Sequence, residues 1–413
     1  MTAVRSFVNV DLSDDASFKH GFPHDYFTWL RENEPVYWHD PTPVSPDGEG
    51  FWVISRHRDV MEVLRTPEVF SSNTGGDRKG GGTTLKDERA AGKVLNYSDD
   101  PHHRVLRGLV NKGFTTQSVS ALEAELRRRV NLLIDKFPNG EKFDFVSMFS
   151  RELPTQAICI VLGVPQQDRG ELIEWMDLGL EADSHNVIAA RYFNKIRDYA
   201  RVIVAEKRRN PGDDILSTIV HARIEGEDNR SLTDEELAHF FLLLFPAGAE
   251  TTRSAIGGGL RALVEHPAQM ALLRSDPSNV KGAVEEFVRW MTPSIYKRRT
   301  ATRDIEFGGK SICRGDKVTV WEMSANRDAT VFDNPFIFDI SRRPNRHIGF
   351  GFGAHVCLGA GLARLEIKIA IEELLRRVEH FELAGPARWV PNNRLLGLRD
   401  LALRVTKKEK TNE

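Results

Sequence analysis

350-FGFGAHVCLGAG-361 sets a cysteine among glycines, directly ahead of a long helical pattern. A cysteine that only fills a core has no need of such neighbours. Glycines at 351, 353, 359 and 361 let the backbone turn sharply and approach a flat object where a Cβ would collide. In the following stretch, 358-LGAGLARLEIKIAIEELLRRV-378, Leu358, Leu362, Leu365 and Ile369 recur at helical steps and form one buried stripe. Cys357 therefore stands at the start of a helix, where unpaired amides and the helix dipole favour a thiolate and lower its pKa.

The rest of the chain limits what that sulfur can serve. The 413 residues carry a net charge of −2, so the cationic surplus of a nucleic-acid binder is absent. The N-terminus MTAVRSFVNVDLSDD lacks the apolar stretch of a signal peptide. The longest apolar run, Phe240 to Ala249, is about half the ~20 residues of a membrane-spanning helix. Cys159, Cys313 and Cys357 are too scattered for a disulfide framework, which fits a reducing compartment. A cytoplasmic protein without a membrane anchor is expected. No linker or internal repeat divides the sequence, so residues 1–413 read as a single domain.

Strand-like pieces at 51-FWVIS-55, 317-KVTVW-321 and 401-LALRV-405 alternate with helical periodicity over 119–137, 280–290 and 358–378. The pattern predicts a mainly helical α+β fold with minor sheets. One helix dominates. Thr233-Asp-Glu-Glu236 is a capping box, and His266-Pro267 ends the run some 30 residues later, roughly 45 Å at 1.5 Å per residue. Its middle combines a breaker, a gap and a charge: Pro246, then Ala247-Gly248-Ala249, then Glu250-Thr251-Thr252. The segment 71–93 is polar and glycine-rich, the composition of either a disordered loop or a mobile lid.

An anionic sulfur on a glycine loop suits a soft or borderline metal. Zinc would require a full set of protein ligands, yet only His347 and His355 lie near and no CxxC pair exists. One thiolate suffices where a macrocycle supplies the other ligands, as in haem.

The string Phe350 to Gly359 resembles the haem-binding signature of the cytochrome P-450 superfamily of monooxygenases, and further motifs follow in the family's order. The resemblance implies the cytochrome P-450 fold, a long central helix over haem, with an N-terminal β-rich lobe and a larger helical lobe. It implies haem b with Cys357 as the axial metal ligand, in a loop that includes Phe350 and Gly351. Glu286, Arg289 and Arg342 match a structural network behind that loop. Ala247-Gly248-Ala249-Glu250-Thr251-Thr252 is similar to the oxygen-activation motif: small Ala247 and Gly248 beside the cofactor, Thr251 as hydrogen-bond donor, Glu250 as proton relay. His103, Arg107, Arg299 and His355 match propionate-binding positions, with His102 leaving the register of the first open by one residue.

The implied activity is insertion of one oxygen atom of O2 into a C–H bond of a hydrophobic small molecule. The region from Ser324 to Glu366 looks most like bacterial relatives acting on terpenoids, steroids or branched lipids, and a secondary-metabolite intermediate is a further substrate class. Ile295, Leu395 and Leu396 fall at pocket positions. The sequence has no flavin or iron–sulfur module, so electrons are expected from a ferredoxin-type donor with an NAD(P)H-dependent reductase, docking near Arg104, Lys112, Arg346 and Arg364. A peroxide-driven peroxygenase and a non-enzymatic haem sensor are the alternatives on this scaffold; the Glu250-Thr251 pair argues against both.

Overall fold

The computed structural model describes residues 10–409 except 77, 89, 182–186 and 225–228. The strands that position the site are β1 (Val36–His39), β2 (Phe51–Ile54), β3 (Phe70–Ser71), β4 (Lys142–Asp144), β5 (Lys297–Ala301), β6 (Lys317–Val320), β7 (Val378–Leu383) and β8 (Ala402–Lys407). They form a larger sheet in the order β1-β2-β6-β5-β3 and a smaller one in the order β4-β8-β7. In the larger sheet β2 and β6 run parallel, with Ile54 opposite Val320, and the other pairs are antiparallel. Every residue of β6 is buried, as suits a central strand of β-branched residues. Segments from both halves of the chain thus share one sheet.

The principal helices are α1 (His102–Asn111), α2 (Glu123–Asp135), α3 (Glu152–Leu162), α4 (Arg169–Glu181), α5 (Val187–Arg209), α6 (Asp234–Glu265), α7 (Val280–Met291) and α8 (Ala360–Arg377). Helix is by far the larger share, as the sequence pattern predicts. One expected helix is split. The 119–137 pattern spans a junction where Leu122 bonds back to Val119 at 3.1 Å, a tightened turn ahead of α2.

α6 crosses the molecule. Its capping box is formed: the Thr233 hydroxyl accepts from the Glu236 amide at 3.2 Å, and the Glu236 carboxylate accepts from the Thr233 amide at 2.8 Å. The helix continues for 32 residues, through Pro246, to a C-cap at His266. Burial along most of its length holds it together where Pro246 removes a hydrogen bond. Gly258 and Gly259 let α7 lie directly on the α6 backbone. A Cβ at Gly258 would stand 2.0 Å from Met291 Sδ, and one at Gly259 1.9 Å from Phe287 Cδ2.

The described residues of the 71–93 segment form a packed strap where the sequence predicts a disordered loop or a lid. Arg78 donates to Glu49 at 2.7 Å and to Asp87 at 2.6 Å, and Asp87 accepts at 2.6 Å from Arg298, which has no exposed surface. Leu85 joins an aromatic core with Phe27, Tyr296 and Trp321. Arg78 and Asp87 are taken up in these pairs while Lys79, Lys86 and Lys93 are exposed, and composition does not distinguish the two kinds.

Candidate functional site

The cysteine loop closes on itself: the Cys357 amide donates to the Phe350 carbonyl at 2.8 Å. Gly351 and Gly353 both lie at φ 74°, in the left-handed region. A Cβ at Gly353 would meet the Leu64 carbonyl oxygen at 2.6 Å, so this glycine is required by the neighbouring backbone rather than by a flat ligand. Gly359 and Gly361 differ, with no protein atom nearer than 3.9 Å to their ideal Cβ positions.

α8 begins at Ala360, so Cys357 precedes the helix instead of opening it. The expected lowering of its pKa is reversed in the protein alone. Burial pushes the Cys357 thiol up, against a Gly359 backbone hydrogen bond and the charges of Lys297, Arg107 and Arg364. The cysteine is surrounded by protein and yet keeps exposed surface.

Behind the loop, Arg289 forms a bidentate pair with Glu286, both bonds 2.7 Å, and neither residue has exposed surface. Arg289 also donates to the carbonyls of Asn326 (2.9 Å) and Pro335 (2.8 Å). Arg342 brings its Nε to 3.4 Å from Glu286 and donates to the Asp333 and Ile337 carbonyls. Glu286 further accepts from the Asp339 amide at 2.9 Å and from Asn345 at 3.1 Å. A buried ion pair survives desolvation only with many such partners, and here Arg342 Nε is left without a hydrogen bond.

Beside the loop, four basic residues gather. The His103 ring lies 4.1 Å from that of His355. His103 Nδ1 is 3.3 Å from Asp100, whereas its buried Nε2 has no hydrogen-bond partner. His355 Nε2 is 3.1 Å from the Ser72 hydroxyl, and Arg107 reaches the Ala354 carbonyl at 3.4 Å. Arg299, on β5, is buried and donates to the Arg298 carbonyl at 2.9 Å. Among the described residues, Arg107, Arg299 and His355 have no ion-pair partner. Burial, then Arg299, His103 and Arg107, push His355 down to about 2, and burial lowers Arg299 to about 10. Basic groups that repel one another beside an orphaned ring nitrogen fit a ligand bearing carboxylates.

On α6, Ala247 is exposed whereas Ala249 and Glu250 are buried. Gly248 does not share that open face: its ideal Cβ lies 2.8 Å from Ile158 Cδ1, so its missing side chain admits α3. The Thr251 hydroxyl donates to the Ala247 carbonyl at 2.7 Å. Glu250 accepts from Arg253 at 3.1 Å, Arg253 donates to Asp177 at 2.6 Å, and Asp177 accepts from Arg151 at 3.1 Å. Arg253 and Asp177 escape sequence reading because they lie on different helices and match no spacing rule.

Of the pocket positions, Ile295 and Leu396 are wholly buried in the aromatic core, and Leu395 alone keeps accessible surface. Backbone pairing of the two segments draws them in: the Ile295 amide donates to the Arg394 carbonyl and the Leu396 amide to the Pro293 carbonyl. Arg104, Lys112 and Arg346 are exposed, but Arg104 is paired with Asp100 at 3.0 Å and Arg364 is held by Glu285 at 2.7 and 3.0 Å.

Comparison with known proteins bears on this arrangement. Residues 172–399 match the family model described as cytochrome P450. Cytochrome P450 126 of Mycobacterium tuberculosis strain H37Rv is 47% identical over 411 residues, covering 98% of this chain and 99% of that one. A steroid C26-monooxygenase of the same strain is 38% identical over 368 residues, covering 87% and 84%. The solved structure of a Mycobacterium marinum cytochrome P450 in complex with pseudoionone superposes with a TM-score of 0.87 at 34% identity, covering 97% and 100%. The fold and these likenesses define a monooxygenase. The chain belongs to the cytochrome P450 family. No helix among the described residues is long and apolar enough to cross a membrane.

Proposed function

We propose that this monooxygenase hydroxylates a hydrophobic small molecule of the terpenoid, steroid or branched-lipid class, with electrons from a ferredoxin and its NAD(P)H-dependent reductase. The names of its relatives support the substrate class: one oxidises steroids at C26 and one binds pseudoionone. When bound, haem b held by a cysteine thiolate would supply the reductive activation of O2 and the transfer of one oxygen atom to carbon.

The chain's own residues hold and protonate. Cys357 provides the sulfur ligand, and the Glu286–Arg289–Arg342 network keeps its loop rigid. His103, Arg107, Arg299 and His355 would hold the cofactor's carboxylates, and His103 Nε2 would gain the partner it otherwise lacks. Thr251 Oγ1 turns its proton from the Ala247 carbonyl toward the open face of α6. Glu250 holds a carboxylate behind it, tied through Arg253 to Asp177, so that protons reach the threonine without admitting bulk water. Arg104, Lys112 and Arg346 offer the exposed positive charge that an acidic electron donor requires.

The observation that carries the reading is the orphaned His103 Nε2 within a basic cluster beside the cysteine loop. Titration of the haem-loaded protein with steroids, terpenoids and branched fatty acids is the test. A low- to high-spin change in the absorption spectrum with at least one class is expected; full haem loading with no change across the panel overturns the substrate assignment.

A further inference from the structure

The end of β3 runs into the basic cluster. Its antiparallel register sets Phe70 opposite Ala301 and Ser71 opposite Thr300, which carries the next residue, Ser72, to Arg299. Facing residues of paired strands share one side of the sheet, with Cβ atoms about 5 Å apart. Ser72 Oγ also lies 3.1 Å from His355 Nε2. A basic residue of β5 and one of the cysteine loop therefore meet at a single serine.

The two serines of this segment are used differently. Ser71 Oγ donates to Asp99 Oδ2 and accepts from the Asn73 amide at 2.9 Å, so its capacity is spent within the turn. The Ser72 amide donates to Asp99 Oδ1 at 2.8 Å, which fixes the backbone and leaves the side chain free to serve elsewhere. Ser72 has no exposed surface, and among the described residues the His355 ring is its one side-chain hydrogen-bond contact. A hydroxyl has one proton to give and two lone pairs to offer. With His355 Nε2 donating to Oγ, the serine proton is left over, beside a ring 4.1 Å from that of His103, whose buried Nε2 also lacks a partner. Packing alone would be served by alanine, and a buried hydroxyl without its full set of partners costs stability.

We propose that the Ser72 hydroxyl is a further donor to the cofactor's carboxylates, placed by Asp99 between Arg299 and His355. This inference rests on the haem reading of the site given above. Ser72 is then a cofactor-binding residue supplied by the strap, and it adds a neutral hydrogen bond to a cluster otherwise made of basic groups.

The test is the rate at which the loaded protein gives up its cofactor to excess apomyoglobin, measured with haem and with haem dimethyl ester, whose carboxylates are blocked. Ser72→Ala is expected to lose haem roughly tenfold faster than the parent, the worth of one hydrogen bond to a charged group. It is expected to lose the dimethyl ester at the parent's rate. Faster loss of both forms to the same degree makes the serine a packing residue and overturns the proposal, as does no change in either. Should Ser72→Ala or the ester fail to load, the isosteric variants Ser72→Thr and Ser72→Val decide: slower haem loss from Ser72→Thr supports the hydroxyl, and equal rates or faster loss overturn it. A parent protein that binds no haem overturns the function itself, whereas a loaded parent with unmoved variants overturns only the role of Ser72.

Discussion

Thr251 commits its hydroxyl proton to the carbonyl one turn earlier, at 2.7 Å, on the single small-residue face of α6 that protein does not cover. A methyl group at this position keeps the helix and removes the proton. Thr251→Ala is expected to load haem normally while product formation falls by roughly 10²-fold, the usual worth of a positioned proton donor. Reducing equivalents then appear as hydrogen peroxide, and Thr251→Ser restores most of the coupling. Normal coupling in Thr251→Ala removes the hydroxyl from the mechanism. At this scale the sequence is readable where chemistry demands a residue type. Cys357 stands out because glycines surround it, and of His102 and His103 only His103 is buried. Gly353 and Gly248 mislead, since both serve neighbouring protein atoms, the Leu64 carbonyl and Ile158, that no local pattern announces.

α7 and α8 are joined by Glu285, which accepts from Arg364 at 2.7 and 3.0 Å and lies 2.9 Å from His347 Nε2. Burial raises the Glu285 pKa, but His347 and Arg364 outweigh it and bring the carboxyl down to about 2. A depressed acid stabilises the fold fully above its unfolded pKa, and that contribution fades as pH falls from about 4.5 toward 2. Glu285→Gln is accordingly expected to lose roughly 1–2 kcal/mol at pH 6, allowing for solvent screening. The deficit shrinks at pH 3, where the parent's carboxyl is itself becoming protonated; urea unfolding at the two pH values checks this, and a deficit independent of pH refutes it. The helices themselves were legible from periodicity and caps. The pairs between them were not, because Glu285 with Arg364 and Arg253 with Asp177 are matched in space and distant along the chain.

Across the whole molecule, the strap 71–93 ties the outer surface to the larger sheet through Asp87, which accepts from Arg78 and from the fully buried Arg298. Asp87→Ala leaves the Arg298 guanidinium buried without its carboxylate, a loss of about 3–5 kcal/mol. A lower melting temperature together with new proteolytic cuts within 71–93 is the expected result; an unaltered melting temperature would show that the strap carries no such load. The architecture of one long helix and small sheets follows from the sequence, whereas the state of this strap does not. Polar, glycine-rich composition describes a solvated lid and an internally paired segment equally well.

The glycines at 258 and 259 place Met291 and Phe287 where side chains of α6 would otherwise stand, about two turns beyond Thr251 and immediately beside Glu286. The helix that presents the hydroxyl and the helix that braces the sulfur loop therefore share one unyielding wall. A methyl added at 259 has nowhere to go unless Phe287 shrinks in the same step, which makes the two positions partners in a single mechanical joint.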